Sequence, residues 1–239
     1  MRLVESVSPW DAGEHGPLPL FLLLLTFITG LVDALSYLKL GHVFVANMTG
    51  NVVFLGFAVA NAQDFSIPAS VVAIGAFLVG ALAGGKLGAI AGSHRGRYLA
   101  IAIYLKIALI GAAVAVSLAT SGPDGALASL VLTALLAMAM GLQNAAARRL
   151  GVPDLTTTVL TLTLTGLAAD STLAGGRNAH AVRRVLAAVT MFAGAAVGAL
   201  MALHVGFSAV LLLVLGLQIA NGVGAYRLSS STAAWAAER

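Results

Sequence analysis

Polar residues embedded in long apolar runs are where this sequence can do chemistry. Asp33 lies in a run from Leu18 to Leu38, and Lys106 sits near the middle of another, with apolar residues on either side. A charge at membrane depth is costly unless it is paired or hydrated, so such residues face a bundle interior or a cavity. Asp33 is a candidate partner for Lys106. Together they suit an ion or proton path, or an ion pair that only fixes helix packing. The string Ala46-Asn47-Met48-Thr49-Gly50-Asn51 brings amides, a hydroxyl and a glycine into a third apolar run. Glycine permits a helix break at low steric cost, and unwound backbone between half-helices forms solute and ion sites. A polar interhelical cluster is the competing reading. Thr157, Thr161 and Thr165 follow i, i+4, i+8 spacing, which predicts one helix face of hydroxyls. These would line a narrow polar path or bond back to their own carbonyls. Asn144 and Asp154 flank the stripe, and Asp154, after Pro153, also suits a helix start.

The elements that must position these residues follow from composition. The chain has 239 residues, 59% hydrophobic and 9% charged, against about 25% charged in a soluble domain. Its mean hydropathy is +0.98. Such a chain has too few charges to solvate a globular surface, so the composition argues against a soluble enzyme, a nucleic-acid binder and a disordered chain. The net charge of +4 does not point to nucleic acid, because the Lys and Arg are scattered through short loops. There they encode membrane orientation. With no cysteine, thiolate metal sites are ruled out. His15, His42, His94, His180 and His204 have no ligand spacing, so no metal and no cofactor is expected. Lys86 and His204 stand near helix ends, where they can snorkel.

Apolar segments occupy 18–38, 43–60, 67–91, 97–119, 126–147, 155–169, 185–204 and 206–226. They are continuously apolar rather than alternating, so they predict an all-α polytopic membrane bundle rather than a barrel. Residues 1–17 form a polar N-terminal segment, 18–227 a single membrane domain, and 228–239 a polar tail. The Leu-rich run after Pro17 reads as an uncleaved first span, since no basic segment precedes it and no small-x-small site ends it.

The domain divides into two repeats, about 18–119 and 126–227. Gly30-Leu31-Val32-Asp33-Ala34 aligns with Gly141-Leu142-Gln143-Asn144-Ala145, and Val79-Gly80-Ala81-Leu82 with Val197-Gly198-Ala199-Leu200. In that register Ala76, Gly80, Gly84 and Gly88 fall on Gly194, Gly198, Ala202 and Gly206, and Lys86 falls on His204. The second and sixth segments become equivalent, and both are unusually polar. If each enters the membrane and returns, six spans remain in two inverted three-span repeats, with two broken or re-entrant segments. An N-terminus inside then collects Arg95, Arg97, Arg148, Arg149, Arg177, Arg183, Arg184 and Arg227 on one side, leaving Lys39, Asp64 and Asp124 on the other. That obeys the positive-inside rule. Eight continuous spans, the alternative, erase the bias.

The stretch Gly30-x-x-Asp33-Ala34-x-Ser36-Tyr37-Leu38, followed by Gly41-x-Val43-Phe44-Val45-Ala46-Asn47-Met48-Thr49-Gly50-Asn51, resembles the YoaK-like family of membrane proteins. Gly141-Leu142-Gln143-Asn144-Ala145 and Val152-Pro153-Asp154-Leu155-Thr156-Thr157-Thr158 look like its second signature. The resemblance covers nearly all of the chain after the polar N-terminus. One departure is Leu162, where the resemblance leads to the expectation of glycine. The family has no established activity. The resemblance implies a multi-pass protein of the bacterial inner membrane, and the loop charges place both termini in the cytoplasm.

The expected function is a small-solute or ion transporter or channel. It is not ATP-driven within this chain, because no phosphate-binding loop appears. It is not an enzyme, because no nucleophile–base pair is visible. Asp33, Asn47, Thr49, Asn51, Lys106, Asn144, Thr157 and Thr161 are the expected path residues. Expected partners are membrane lipid, the solute and a second copy in a homodimer, with no nucleic acid. The alternative is a non-transporting assembly or sensor protein.

Overall fold

A computed structural model describes residues 15–91, 93–158, 160–177 and 180–237. Most of the polar N-terminal segment therefore lies outside the described residues. Among those described, the chain forms eight α-helices and no strand-built sheet. In order they are α1 (Leu18–Lys39), α2 (Met48–Val59), α3 (Ile67–Ala91), α4 (Arg95–Ala119), α5 (Ala126–Leu150), α6 (Leu160–Ala169), α7 (Ala181–His204) and α8 (Phe207–Leu228). Short 3-10 turns occupy Thr172–Ala174 and Ala234–Ala236. Helix boundaries have local causes. Pro19 pre-sets the start of α1, His94 accepts from the Arg97 N–H to cap α4, and Gly151 ends α5 in the left-handed conformation.

Six helices, all but α2 and α6, are long and apolar enough to cross a bilayer. At 12 and 10 residues, α2 and α6 reach only about 18 and 15 Å, short of a hydrocarbon core of about 30 Å. The apolar runs at 43–60 and 155–169 are thus each part coil, part half-helix.

Helix directions exclude eight continuous spans. Gly96 packs on Leu228, the Tyr104 hydroxyl reaches the Gly222 carbonyl and Ser117 bonds Ser208, so α4 and α8 are antiparallel. Gly194 and Gly198 press on Phe27 and Leu31, so α7 runs parallel to α1. Gly80 and Gly84 press on Met138 and Leu142, so α3 runs parallel to α5. Few residues separate α3 from α4, α4 from α5 and α7 from α8, so each of those packed pairs is antiparallel. It follows that α1 opposes α3, and α5 opposes α7. Neither α2 nor α6 adds a crossing.

The same packing recurs twice. α1 packs on α7 as α5 packs on α3, α8 on α1 as α4 on α5, and α6 on α7 as α2 on α3. The close approaches match by residue. A Cβ on Gly80 would meet the Met138 carbonyl as one on Gly194 meets that of Phe27. Gly84 faces Leu142 as Gly198 faces Leu31, and Gly141 faces Phe77 and Ala81 as Gly30 faces Met191 and Ala195. Gly80 therefore corresponds to Gly194, one turn away from the sequence alignment with Gly198, and Lys86 does not correspond to His204. A ladder of small residues at every fourth position looks the same after a shift of four, so sequence alone does not fix the turn.

Gly141→Leu and Gly194→Leu, which drive a side chain into a neighbouring backbone, lower stability by about 1–3 kcal/mol or more, read as a drop in Tm in detergent. Gly56→Ala and Gly75→Ala meet open space and leave Tm unchanged or raised. The cysteine-free chain also suits single-cysteine labelling. Asp64→Cys and Ser121→Cys label from one side of the membrane, Arg148→Cys and Arg177→Cys from the other. Labelling of Arg148→Cys and Arg177→Cys from opposite sides would refute the six-span topology.

Candidate functional site

The first re-entrant segment begins where α1 stops. Gly41 and His42 take positive φ and reverse the chain. Val43 to Asn47 then runs back along α1 outside any helix. Backbone N–H groups there need acceptors, because lipid supplies none. Asp33 Oδ1 accepts from the Val45 and Ala46 N–H groups at 3.0 and 2.8 Å. Asp33 lies six residues before Lys39, so the segment returns about 9 Å into the bundle at 1.5 Å per residue. Asn51, in the first turn of α2, then holds both polar groups of Phe44. Its Oδ1 accepts from the Phe44 N–H at 2.8 Å and its Nδ2 donates to the Phe44 carbonyl at 2.6 Å. Tyr37, His42, Phe44, Phe54 and Phe65 stack over this end of the segment.

The second segment repeats the plan with different chemistry. Gly151, Asp154 and Thr157 take positive φ, and residues 151–158 return along α5. Asn144 occupies the place that Asp33 has on α1. Its Oδ1 accepts from the Thr158 hydroxyl, and its Nδ2 donates to the Met140 carbonyl at 2.9 Å. Gln143 Nε2 donates to the hydroxyls of Thr29 at 2.8 Å and Thr157 at 3.0 Å, and its Oε1 accepts from Lys106 Nζ. An ionic clamp stands where the first half has aromatic rings. Arg184 Nε donates to Asp154 at 2.9 Å and Nη1 to Asp170 at 2.7 Å. The clamp ties the coil to the far end of α6.

The two tips meet around a cavity of about 400 Å³. Asn47, Thr49, Asn144, Thr158 and Thr161 supply its polar wall, and Met48, Leu160, Phe77 and Met191 are among its apolar lining. Phe77 and Met191 correspond under the recurring glycine contacts, as do Asn47 and Thr158 under the match of α1 to α5. Each half thus contributes related positions to one chamber. Its first-turn residues, Met48, Thr49 and Gly50 on α2 and Leu160 and Thr161 on α6, bring two helix starts to the same space.

Of the expected path residues, Asn47, Thr49, Asn144 and Thr161 line this cavity together. Asp33, Asn51, Lys106 and Thr157 do not; they are buried behind its walls, holding backbone or side-chain partners. Asp33 and Lys106 do not pair: Asp33 holds the loop, and Lys106 donates to Gln143. The threonine stripe is also corrected. Thr157 lies in the coil with φ +65°, and α6 begins only at Leu160, so Thr157 and Thr161 share no helix face. Asp154 does not cap that helix but binds Arg184. Leu162 is 74% exposed on α6, which explains why no glycine is needed there. Thr158 and Gln143 are the residues that sequence reasoning missed. Gln143 was visible inside the aligned block, but a neutral amide draws less notice than a charge.

The loop anchors carry a prediction. Asp33→Ala strands two buried N–H groups and costs about 1–3 kcal/mol for each, read as a fall in Tm. Asp33→Asn keeps an acceptor oxygen, as Asn144 does natively, and retains most of the stability.

Residues 21–222 match the model of a family described as "Protein of unknown function (DUF1275)". The chain is 34% identical over 147 residues to the UPF0700 transmembrane protein YoaK of Bacillus subtilis (strain 168), covering 62% of this chain and 64% of that protein. The match thus spans less than two thirds of that relative's length. No solved structure matches the chain.

Proposed function

The chain belongs to the DUF1275 family of proteins of unknown function, and from that premise we propose that it is a small-solute or ion transporter or channel. The observation that carries this reading is the cavity itself. It lies at the level to which both re-entrant segments return, and hydroxyls and amides from both halves line it. Polar groups at membrane depth are costly unless they are paired or hydrated, and those that face a cavity commonly mark a solute or ion path. Here Asn47, Thr49, Asn144, Thr158 and Thr161 can replace part of a solute's hydration shell as it leaves water. Broken helices tolerate this because their irregular backbone lines a cavity rather than lipid.

The halves act as two inverted repeats of one unit, a reading supported by the residue-by-residue recurrence of the glycine contacts. Opening one side and then the other needs only a rocking of one unit against its copy. The chain carries no phosphate-binding loop to couple this to ATP. The arginine-rich end, with Arg95, Arg148, Arg177 and Arg227, supports a cytoplasmic location for both termini. A bacterial inner membrane is the setting this proposal assumes.

Flux through purified protein in liposomes tests the reading. Thr161→Trp and Thr49→Trp fill the cavity and drop solute flux to background while the protein stays monodisperse. Leu162→Trp, on an exposed flank, leaves flux intact. A protein that moves no solute across a broad panel, or whose tryptophan variants transport unchanged, would instead be the non-transporting assembly or sensor protein.

A further inference from the structure

We propose that the species passing this cavity is a small monovalent anion; the inference rests on the transport reading above. Three features of the site have the same sign. First, α2 and α6 both begin at the cavity wall. The opening N–H groups of a helix have no intrahelical acceptor, and the helix dipole places partial positive charge there. Asn47, at the start of α2, makes no side-chain cap to these groups. Second, no acidic side chain lines the cavity among the described residues. Asp33 lies behind the wall, with its Oδ1 held by the Val45 and Ala46 N–H groups, and Asp154 and Asp170 are held by Arg184.

Third, a buried lysine is linked to the threonine wall through Gln143. Lys106 is 1% exposed, donates to Gln143 Oε1 and has no carboxylate partner among the described residues. Gln143 in turn donates to Thr157, the neighbour of the cavity-lining Thr158. An ammonium has three donors, and a lysine this deeply buried keeps its proton only where compensating charge favours the charged form. An anion in the cavity supplies that charge and favours the protonated lysine; a cation there disfavours it and meets the positive ends of both helix starts. A cavity of about 400 Å³ holds an ion of a few atoms with some of its water. A divalent ion would have to shed a far more tightly held shell.

The test uses the full-length chain in phosphatidylcholine liposomes, with chloride, nitrate and formate as anion probes, potassium and sodium as cation probes, and urea and glycerol as neutral probes. The expected result is electrogenic movement of at least one anion and no movement of either cation. Lys106→Met lowers that flux about tenfold or more, the effect of losing a favourable charge, and Lys106→Arg restores part of it. Lys106 is buried, so Lys106→Met can fail to fold. Asn47→Asp, at an exposed position, then decides: a carboxylate in the cavity cuts anion flux by a similar factor. Cation movement, neutral movement alone, or anion flux that survives both substitutions overturns the anion assignment and leaves transport standing. Movement of no probe at all overturns both.

Discussion

A backbone N–H in hydrocarbon has no water to donate to, so a chain that leaves helical geometry inside a bilayer must bring its own acceptor. In the first half Asp33 is that acceptor, taking two N–H groups on one carboxylate oxygen. Asn51 completes the task at Phe44, where its amide answers a donor and an acceptor as a neighbouring strand would. In the second half Asn144 and Gln143 hold the coil through the side-chain hydroxyls of Thr158 and Thr157 instead of through its backbone. The half-helices, the placement of their starts and the cavity between them all depend on these bonds. The buried polar residues of this protein are therefore mainly scaffold, and the cavity wall is made by their sequence neighbours.

The two halves are closed by different physics. Around the first re-entrant segment Tyr37, Phe44, Phe54 and Phe65 form a continuous aromatic stack. Around the second, Arg184 bridges two carboxylates. Aromatic contact is indifferent to salt, whereas partly exposed ion pairs weaken as ionic strength rises. The unit is repeated in packing but not in how its outer end is held.

Much of this was legible in the sequence. Continuous apolar runs marked the six long helices, and arginine placement separated the six-span from the eight-span topology. Asn47, Thr49, Asn144 and Thr161 were legible as wall residues, because polar groups in an apolar run must face something. Other features were not. The register of α3 against α7 was ambiguous by one turn, since a glycine ladder is self-similar at that step. The i, i+4 spacing of Thr157 and Thr161 presupposes a helix, and nothing local announces that the chain at 151–158 is held open by Asn144 and Gln143 on α5. Asp33 and Lys106 attracted each other on paper because opposite charges in lipid invite pairing. Their actual partners, two loop amides and a glutamine, carry no charge to reveal them.

The partnership of α1 with α7, and of α3 with α5, has a consequence for how the protein is made. Each helix that leads a half packs its glycine face on a helix of the other half. When α1 leaves the ribosome, the helix that will cover Gly30 has not been synthesised. The first half must therefore wait in the bilayer, with its close-packing surface against lipid, until α7 is inserted. Assembly is thus a late event, in which two incomplete units interlock rather than one finished unit receiving another.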